Sequence, residues 1–341
     1  LKNAFKMSNI KSTEVLIEDW TDFDKSILHN ISSEYYAKKG IDAFDNSKLN
    51  ESIPNSVSCS YPHALSVAKI LLANLSNYPS TKKVKVLELG SGSGMFARHF
   101  LLAAAELGFL ERLEFYLSDI AAHSLLQIKE KGILKEFTEG LNYHLLTLRL
   151  PDLDSVSDVY GNVFQLSDLD LVVANYVIDA LPMMPLRRNK NGKFDKLQLR
   201  LADKRSLEEV NLVHDTSFLS RLDIKEKWVE YNLEEASGIE RKYYSTFEIN
   251  SQKYPPGKAL RYNYFALAVI DSLKAKLVEK GFFYILDIPS QTGISQSTYL
   301  VYANSVANLI DEQLLIEFTR SEKLHTLNHR DHIFFRLLVC N

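Results

Sequence analysis

The sequence has little cysteine and no long apolar run. Cys59 and Cys340 are the two cysteines in 341 residues, which excludes a disulfide framework and a CxxC metal-binding motif. This usage is typical of a reducing compartment, and we expect a cytoplasmic protein. No run of about 18 apolar residues occurs, which predicts that no segment spans a membrane. The first ten residues also lack the apolar core of a secretory signal peptide.

The chain also lacks a large excess of charge of either sign. Its formal net charge is -3 and its isoelectric point is about 6.3. Because this balance gives no bulk attraction to polyanions, we do not expect nucleic acid or a membrane as partner. Hydrophobic residues make up 46% of the chain, enough to bury a sizeable core, and this excludes a disordered protein.

Short apolar runs alternate with helical patterns from residue 84 onward. This alternation predicts an α/β fold with a mostly parallel sheet and helices on both faces. The predicted strands are 84–89, 113–117, 143–148, 169–174, the segment "GFFYILDI" and the final segment "HIFFRLLVC", which suits a last antiparallel strand. The predicted helices include 95–107, 121–131, 265–280 and 303–318.

The alternation of strands and helices, and the stretch where it stops, divide the chain into four predicted parts. Residues 20–48 have apolar side chains at helical spacing, so 1–80 is predicted to be a helical cover. Residues 81–184 and 276–341 supply the two halves of the sheet. Residues 185–275 are too long for a loop in a compact domain and are predicted to be an inserted lid over the substrate. The insertion begins with a hairpin at Asn191-Gly192.

The segment "ELGSGSG" links the strand at 84–89 to the helix at 95–107. Glycine permits a sharp turn and a close approach to a ligand, and the helix start adds free N–H groups. A dinucleotide fingerprint requires a third glycine or alanine where Met95 stands, and no P-loop lysine follows. The segment instead resembles the first motif of class I S-adenosylmethionine-dependent methyltransferases.

This resemblance implies a seven-strand sheet and a set of cofactor-binding residues. Asp119 ends the next strand and occupies the family's ribose-binding position, with Ile120 beside it. The adenine-side acid is Asp152 or Asp154, of which we take Asp152. Asn175 ends the strand that faces the transferable methyl group. The predicted cofactor residues are Glu88, Gly90, Ser91, Gly92, Gly94, Asp119, Ile120, Asp152 and Asn175.

The catalytic candidates lie around the segment "ANYVIDALP". A proton-bearing methyl acceptor benefits from a general base, and Asp179, Tyr176 and His63 are the predicted catalytic residues, with His214 a further histidine considered. The histidine-rich segment "HTLNHRDH" lacks a carboxylate or cysteine to complete a ligand set, so we predict no metal site.

"ANYVIDALPMMPLRRNKNGK" is locally similar to the MidA-like methyltransferases, which include protein-arginine methyltransferases that assist assembly of respiratory complex I. Asn175, Asp179 and Pro182 match that pattern, and Asp287 matches the first residue of a later motif. Tyr176 replaces the family's glutamate, a natural anchor for guanidinium, so arginine as acceptor does not follow. We expect a methyltransferase acting on a protein side chain or a small molecule. A non-catalytic cofactor-binding assembly factor and a nicotinamide oxidoreductase are the alternatives.

Overall fold

A computed structural model of the chain describes residues 15–44, 56–76, 78–137, 142–203, 218–287, 299–302, 305–330 and 335–340. The strands in these ranges are β1 (Val15–Asp22), β2 (Val84–Leu89), β3 (Leu113–Asp119), β4 (Asn142–Thr147), β5 (Val156–Asp158), β6 (Val163–Phe164), β7 (Leu169–Asn175), β8 (Met184–Arg188), β9 (Phe194–Asp203), β10 (Asp223–Glu230), β11 (Ala259–Tyr262), β12 (Leu277–Asp287), β13 (Tyr299–Tyr302), β14 (Ser305–Asn308), β15 (His325–Arg330) and β16 (Phe335–Cys340). The helices are α1 (Ile27–Lys39), α2 (Tyr61–Leu75), α3 (Met95–Glu106), α4 (Ala122–Glu130), α5 (Phe218–Arg221), α6 (Gly238–Ser251), α7 (Tyr264–Lys274) and α8 (Glu312–Ser321).

The main sheet has the strand order β15-β16-β12-β7-β2-β3-β4-β5-β6. The five strands from β12 to β4 are parallel, and those flanking them are joined by antiparallel pairs. The central strand β7 is buried at six of its seven positions, as expected for a parallel strand covered on both faces. The α/β class is therefore confirmed.

The sheet is wider than the seven strands we expected. The short strands β5 and β6 fold back as a hairpin onto β4 and extend that edge. Gly161, at φ +88°, lies in the turn that joins them. With the edge hairpin included, the described part of the chain forms a nine-stranded mixed sheet.

A second sheet combines β1 with strands from residues 184–262, in the order β1-β9-β8-β11, with β10 also paired to β9. The predicted hairpin is confirmed: β8 and β9 pair antiparallel around a turn closed by the Asn189 N–H bond to Lys193 O.

The prediction of one helical segment over 20–48 was wrong at its start. Residues Val15–Asp22 form a strand against β9, and α1 begins only after Ser26, whose hydroxyl accepts the Leu28 N–H.

The helix predicted over 303–318 was wrong in its first half. Residues Ser305–Asn308 pair with β13, and α8 begins after Asp311, whose side chain accepts the Leu314 N–H. The last strand is antiparallel, as predicted, and lies between β12 and β15. Of "HIFFRLLVC", residues 332–334 lie outside the described residues. No helix in the described ranges is long and apolar enough to cross a bilayer.

Helices cover both faces of the main sheet. One face packs against α2, α3 and α4, with Leu71, Phe100 and Leu125 fully buried. The other packs against α6, α7 and α8, through residues such as Phe247, Leu267 and Leu314. Because β2, β3, β7 and β12 are parallel, their carboxyl ends meet along one edge, where open α/β sheets bind ligands.

Candidate functional site

The turn between β2 and α3 places three residues in a backbone conformation that favours glycine. Gly90, Gly92 and Gly94 have φ values of +62°, +51° and +74°, a region that L side chains rarely adopt. A β-carbon at Gly90 would lie 2.7 Å from Val177 Cγ2, closer than carbon atoms pack. The turn is tied to β3 by the Ser91 N–H, which donates to Ser118 O at 2.8 Å.

Asp119 stands beside this turn at the carboxyl end of β3. Its Oδ2 accepts the Gly92 N–H at 3.2 Å, and its Oδ1 accepts the Ala121 N–H at 3.1 Å. Burial raises the pKa of Asp119, and the backbone N–H groups around it, including that of Ile120, oppose the rise. The structure thus brings the glycine turn, Asp119 and Ile120 together, as the sequence spacing predicts.

Glu88 is a buried carboxyl group directly beneath the turn. It is 3% exposed, and burial raises its pKa to about 8, with repulsion from Asp119 adding to the effect. Its Oε2 has no hydrogen-bond partner among the described residues. Ser91, also buried, acts to lower the pKa but does not cancel the rise. A buried carboxyl oxygen without a partner suits a ligand that brings a polar group.

His63 and Asn175 meet across the α2–β7 contact. His63 Nε2 lies 3.1 Å from Asn175 Oδ1, and the imidazole packs against the rings of Phe96 and Tyr284. Burial lowers the pKa of His63, so the ring is neutral near pH 7 and Nε2–H donates to the amide oxygen. Asn175 Nδ2 is buried without an acceptor among the described residues, which leaves a donor for a ligand.

The turn after β7 carries the predicted catalytic residues Tyr176 and Asp179, and Tyr176 comes first. Tyr176 has φ +54°, and its N–H donates to Leu286 O at 2.8 Å. Burial, with the nearby Asp287 and Asp179 carboxyls, raises the pKa of Tyr176 above its usual range. The phenol therefore stays protonated near pH 7, which does not favour a role as general base.

Asp179 forms a buried pair with Asp287, which ends β12. Burial raises the pKa of Asp179 to about 7, and its side chain hydrogen bonds to that of Asp287. Asp287 Oδ2 also accepts the N–H groups of Ile178 at 3.0 Å and Asp179 at 3.2 Å. Sequence reasoning noted Asp287 only as a motif match. The available signal was an acid at the end of a strongly apolar strand.

Arg336 is a second residue that sequence reasoning missed. It pairs with Leu286 on β12, which in turn pairs with Asn175 on β7, so the three lie in one row across the sheet. Its charge adds to the lowering of the His63 pKa and offsets part of the rise in the Tyr176 pKa, so the cation lies near the carboxyl end of β7. The signal was a lone arginine within the apolar run "FFRLLV".

The structure does not bring Asp152 to the other site residues. Its side chain is exposed, and Oδ1 accepts the N–H groups of Asp154 and Ser155 at 2.9 and 3.1 Å in a local turn. Asp154 forms an ion pair with Lys276, which precedes β12 at the amino end of that strand. This contact lies at the opposite edge of the sheet from the glycine turn.

No group of three metal-ligating side chains occurs in the described part of the chain. His325 and His329 are exposed on β15. His214 and His332 lie outside the described residues.

Comparison with known proteins was made by family, by sequence and by structure. A family model described as "Putative S-adenosyl-L-methionine-dependent methyltransferase" matches residues 66–314, more than half of the chain. Among proteins with curated functions, none matches in sequence.

Two solved structures from Burkholderia thailandensis share the fold. The first, titled a "likely methyl transferase" bound to S-adenosyl-homocysteine, has a TM-score of 0.58 and 14% identity, covering 94% of this chain and 88% of that chain. The second, an uncharacterized protein in native form, has a TM-score of 0.57 and 13% identity, covering 94% and 87%. At these identities the likeness shows the fold alone.

Proposed function

Because this chain belongs to the family of S-adenosyl-L-methionine-dependent methyltransferases, we propose that it methylates a proton-bearing acceptor held at the carboxyl ends of β7 and β12. The enzyme class and the cofactor follow from the family. The acceptor class and the role of each residue are our proposal. One observation carries it: the Asp119 carboxylate accepts the Gly92 N–H, joining the ribose-binding position to the glycine turn.

The residues around the glycine turn fit S-adenosylmethionine. Glu88 Oε2 and Asn175 Nδ2 are a buried carboxyl oxygen and a buried amide donor without partners among the described residues, and the cofactor carries both amino and carboxylate groups. Asp119 would accept hydrogen bonds from the ribose hydroxyls, and Ile120 would line the pocket beside the ribose. Ser91, Gly90, Gly92 and Gly94 would form the close backbone wall. The bound cofactor supplies an electrophilic sulfonium methyl group.

The acceptor side would be formed by the turn after β7 and by His63. In-line displacement at a methyl group requires alignment and exclusion of water more than bond polarisation. Asp179, with its pKa raised to about 7, is matched to take a proton from the acceptor near neutral pH. Tyr176 would hold the acceptor by hydrogen bonding, and His63 would fix Asn175. Asp152 is retained only as a candidate for the adenine side.

The finer features of the protein belong to the same proposal. Residues 81–184 and 276–341 would form the catalytic domain, 1–80 its cover and 185–275 the substrate lid. We expect a protein side chain or a small molecule as acceptor, and Tyr176 in place of the MidA-like glutamate gives no support for arginine. Free Cys59 and Cys340 suit a cytoplasmic setting. The non-catalytic alternative is not favoured, since the family is enzymatic, and nothing supports the nicotinamide alternative.

Label transfer tests this function. The purified protein is incubated with methyl-labelled S-adenosylmethionine and with cell extract separated into protein and small-molecule fractions. We expect label in one of the two fractions, and none with Asp119→Ala. If the wild-type protein binds S-adenosylhomocysteine in calorimetry but labels neither fraction, the proposal of turnover is wrong and the non-catalytic alternative holds.

A further inference from the structure

The carboxyl groups of Asp179 and Asp287 lie in hydrogen-bond contact in the interior. Asp179 is 5% exposed and Asp287 is fully buried. An ionised carboxylate is an acceptor only, so a hydrogen bond between the two side chains requires a proton between them. Two adjacent carboxyl groups in a low-dielectric site cannot both ionise without a large cost. The pair therefore holds one proton.

Asp287 also organises the backbone of the turn that follows β7. Its Oδ2 accepts two consecutive N–H groups, those of Ile178 and Asp179. From the other side, the Asn308 N–H donates to Asp179 O at 2.6 Å, and Asn308 Nδ2 donates to Leu181 O at 2.9 Å. These bonds hold the turn although Tyr176 adopts a positive φ, which costs free energy in a residue other than glycine.

The turn after β7 packs against the glycine turn that follows β2. Val177 lies directly against Gly90, with its Cγ2 2.7 Å from the position that a β-carbon would take there. Any displacement of the turn after β7 therefore changes the space beside the cofactor glycines. Asn175, at the start of the same turn, presents the unpartnered Nδ2 donor.

We propose that Asp287 is a positioning residue: it shares one proton with Asp179 and, through two backbone hydrogen bonds, holds the turn after β7 against the cofactor glycine turn. This inference rests on the proposed cofactor site. Its consequence is that the two carboxyl groups titrate as a unit.

Charged and titratable groups interact with the pair directly or act on its neighbour Tyr176. Tyr176, on the same turn, interacts with both Asp179 and Asp287. The Arg336 charge on β16 opposes the rise in the Tyr176 pKa, and the Cys59 thiol, which precedes α2, adds to it. His63 on α2 faces Arg336 and is neutral near pH 7. The experiment must therefore observe the aspartates directly rather than infer their titration from activity.

Carboxyl titration followed by NMR tests the shared proton without any cofactor. The protein is labelled with ¹³C at aspartate carboxyls, which leaves Glu88 silent, and Asp179→Asn and Asp287→Asn assign the two resonances. We expect one protonation of the pair with an apparent midpoint near pH 7. In Asp287→Asn, the Asp179 midpoint falls by at least about one pH unit, because the amide donates to the carboxylate and removes the neighbouring charge. An Asp179 midpoint that is unchanged in Asp287→Asn overturns the proposal.

Calorimetry with S-adenosylhomocysteine at pH 6 tests the positioning. Asp287→Asn keeps an oxygen for the two N–H groups, and we expect its dissociation constant to stay within about threefold of wild type. Asp287→Leu removes both bonds and is expected to weaken binding at least about tenfold. The matched control is Asp170→Leu, which removes a buried acid at the amino end of β7.

The proposal fails if folded Asp287→Leu binds as well as wild type, or if Asp287→Asn weakens binding as much as Asp287→Leu. Should the leucine variant not fold, the asparagine variant and the titration decide. Failure of the proposed cofactor site would look different, since wild-type protein would then bind S-adenosylhomocysteine no better than Asp119→Ala does.

Discussion

Replacing Asp119 with asparagine should weaken cofactor binding by a defined amount. Each carboxylate oxygen now accepts one backbone N–H, Gly92 at Oδ2 and Ala121 at Oδ1, and each retains a second lone pair for a ribose hydroxyl. Asparagine leaves one oxygen and sets an NH₂ group against the other N–H. In the proposed complex the ribose thus loses one hydrogen bond to a charged acceptor, worth about 1.5–3 kcal/mol, or roughly 10- to 150-fold in dissociation constant.

Calorimetry with S-adenosylhomocysteine and its 2′-deoxy analogue measures this loss. If the lost interaction is with the ribose, Asp119→Asn should weaken binding of the full ligand by more than it weakens binding of the deoxy compound. Asp19→Asn is the matched control, because Asp19 is exposed on β1 and paired with Arg200 in the second sheet. Thermal melting without ligand separates a disturbed glycine turn from a lost contact.

Two results would refute this reasoning. Unchanged affinity in Asp119→Asn would mean that Asp119 only fixes the glycine turn. An equal loss for both ligands would mean that the substitution acts through the backbone and not through the ribose.

Three other predictions concern the same region and the pH dependence of folding. Gly90→Ala should destabilise the fold by more than Gly161→Ala in urea unfolding, since both have positive φ but only Gly90 faces a neighbour, Val177; equal losses would contradict the steric argument. Glu88 binds its proton more tightly when folded, with a pKa of about 8, so stability should fall as pH rises from about 4.5 to 8. The stability of Glu88→Gln minus that of wild type should therefore be larger at pH 8.5 than at pH 5. An equal difference at the two pH values would count against a protonated buried Glu88. Burial lowers the pKa of His29 to about 4, so stability should be lost as pH falls from about 6.5 towards 4. His29→Gln should move acid unfolding to lower pH, as followed by circular dichroism.

Local sequence determined the glycine turn and its flanking elements. The boundaries of β2 and the start of α3 agree with the predicted ones. The apolar run, the three glycines and the helical pattern are each local signals, contained within a few consecutive residues. Asp119 could be placed for a related reason. One strand–helix–strand unit sets the next strand beside the first, so the carboxyl ends of β2 and β3 meet.

Tertiary structure alone decided the rest of the site. The Asp287 bond to the Asp179 N–H joins residues 108 positions apart, and Arg336 reaches the same row from the last strand. Likewise, β1 pairs with a strand of the insertion, and Asp152 points into a local turn. Such contacts depend on the order in which distant strands join the sheet. No periodicity within a segment encodes that order, because it results from how whole elements bury their apolar faces together.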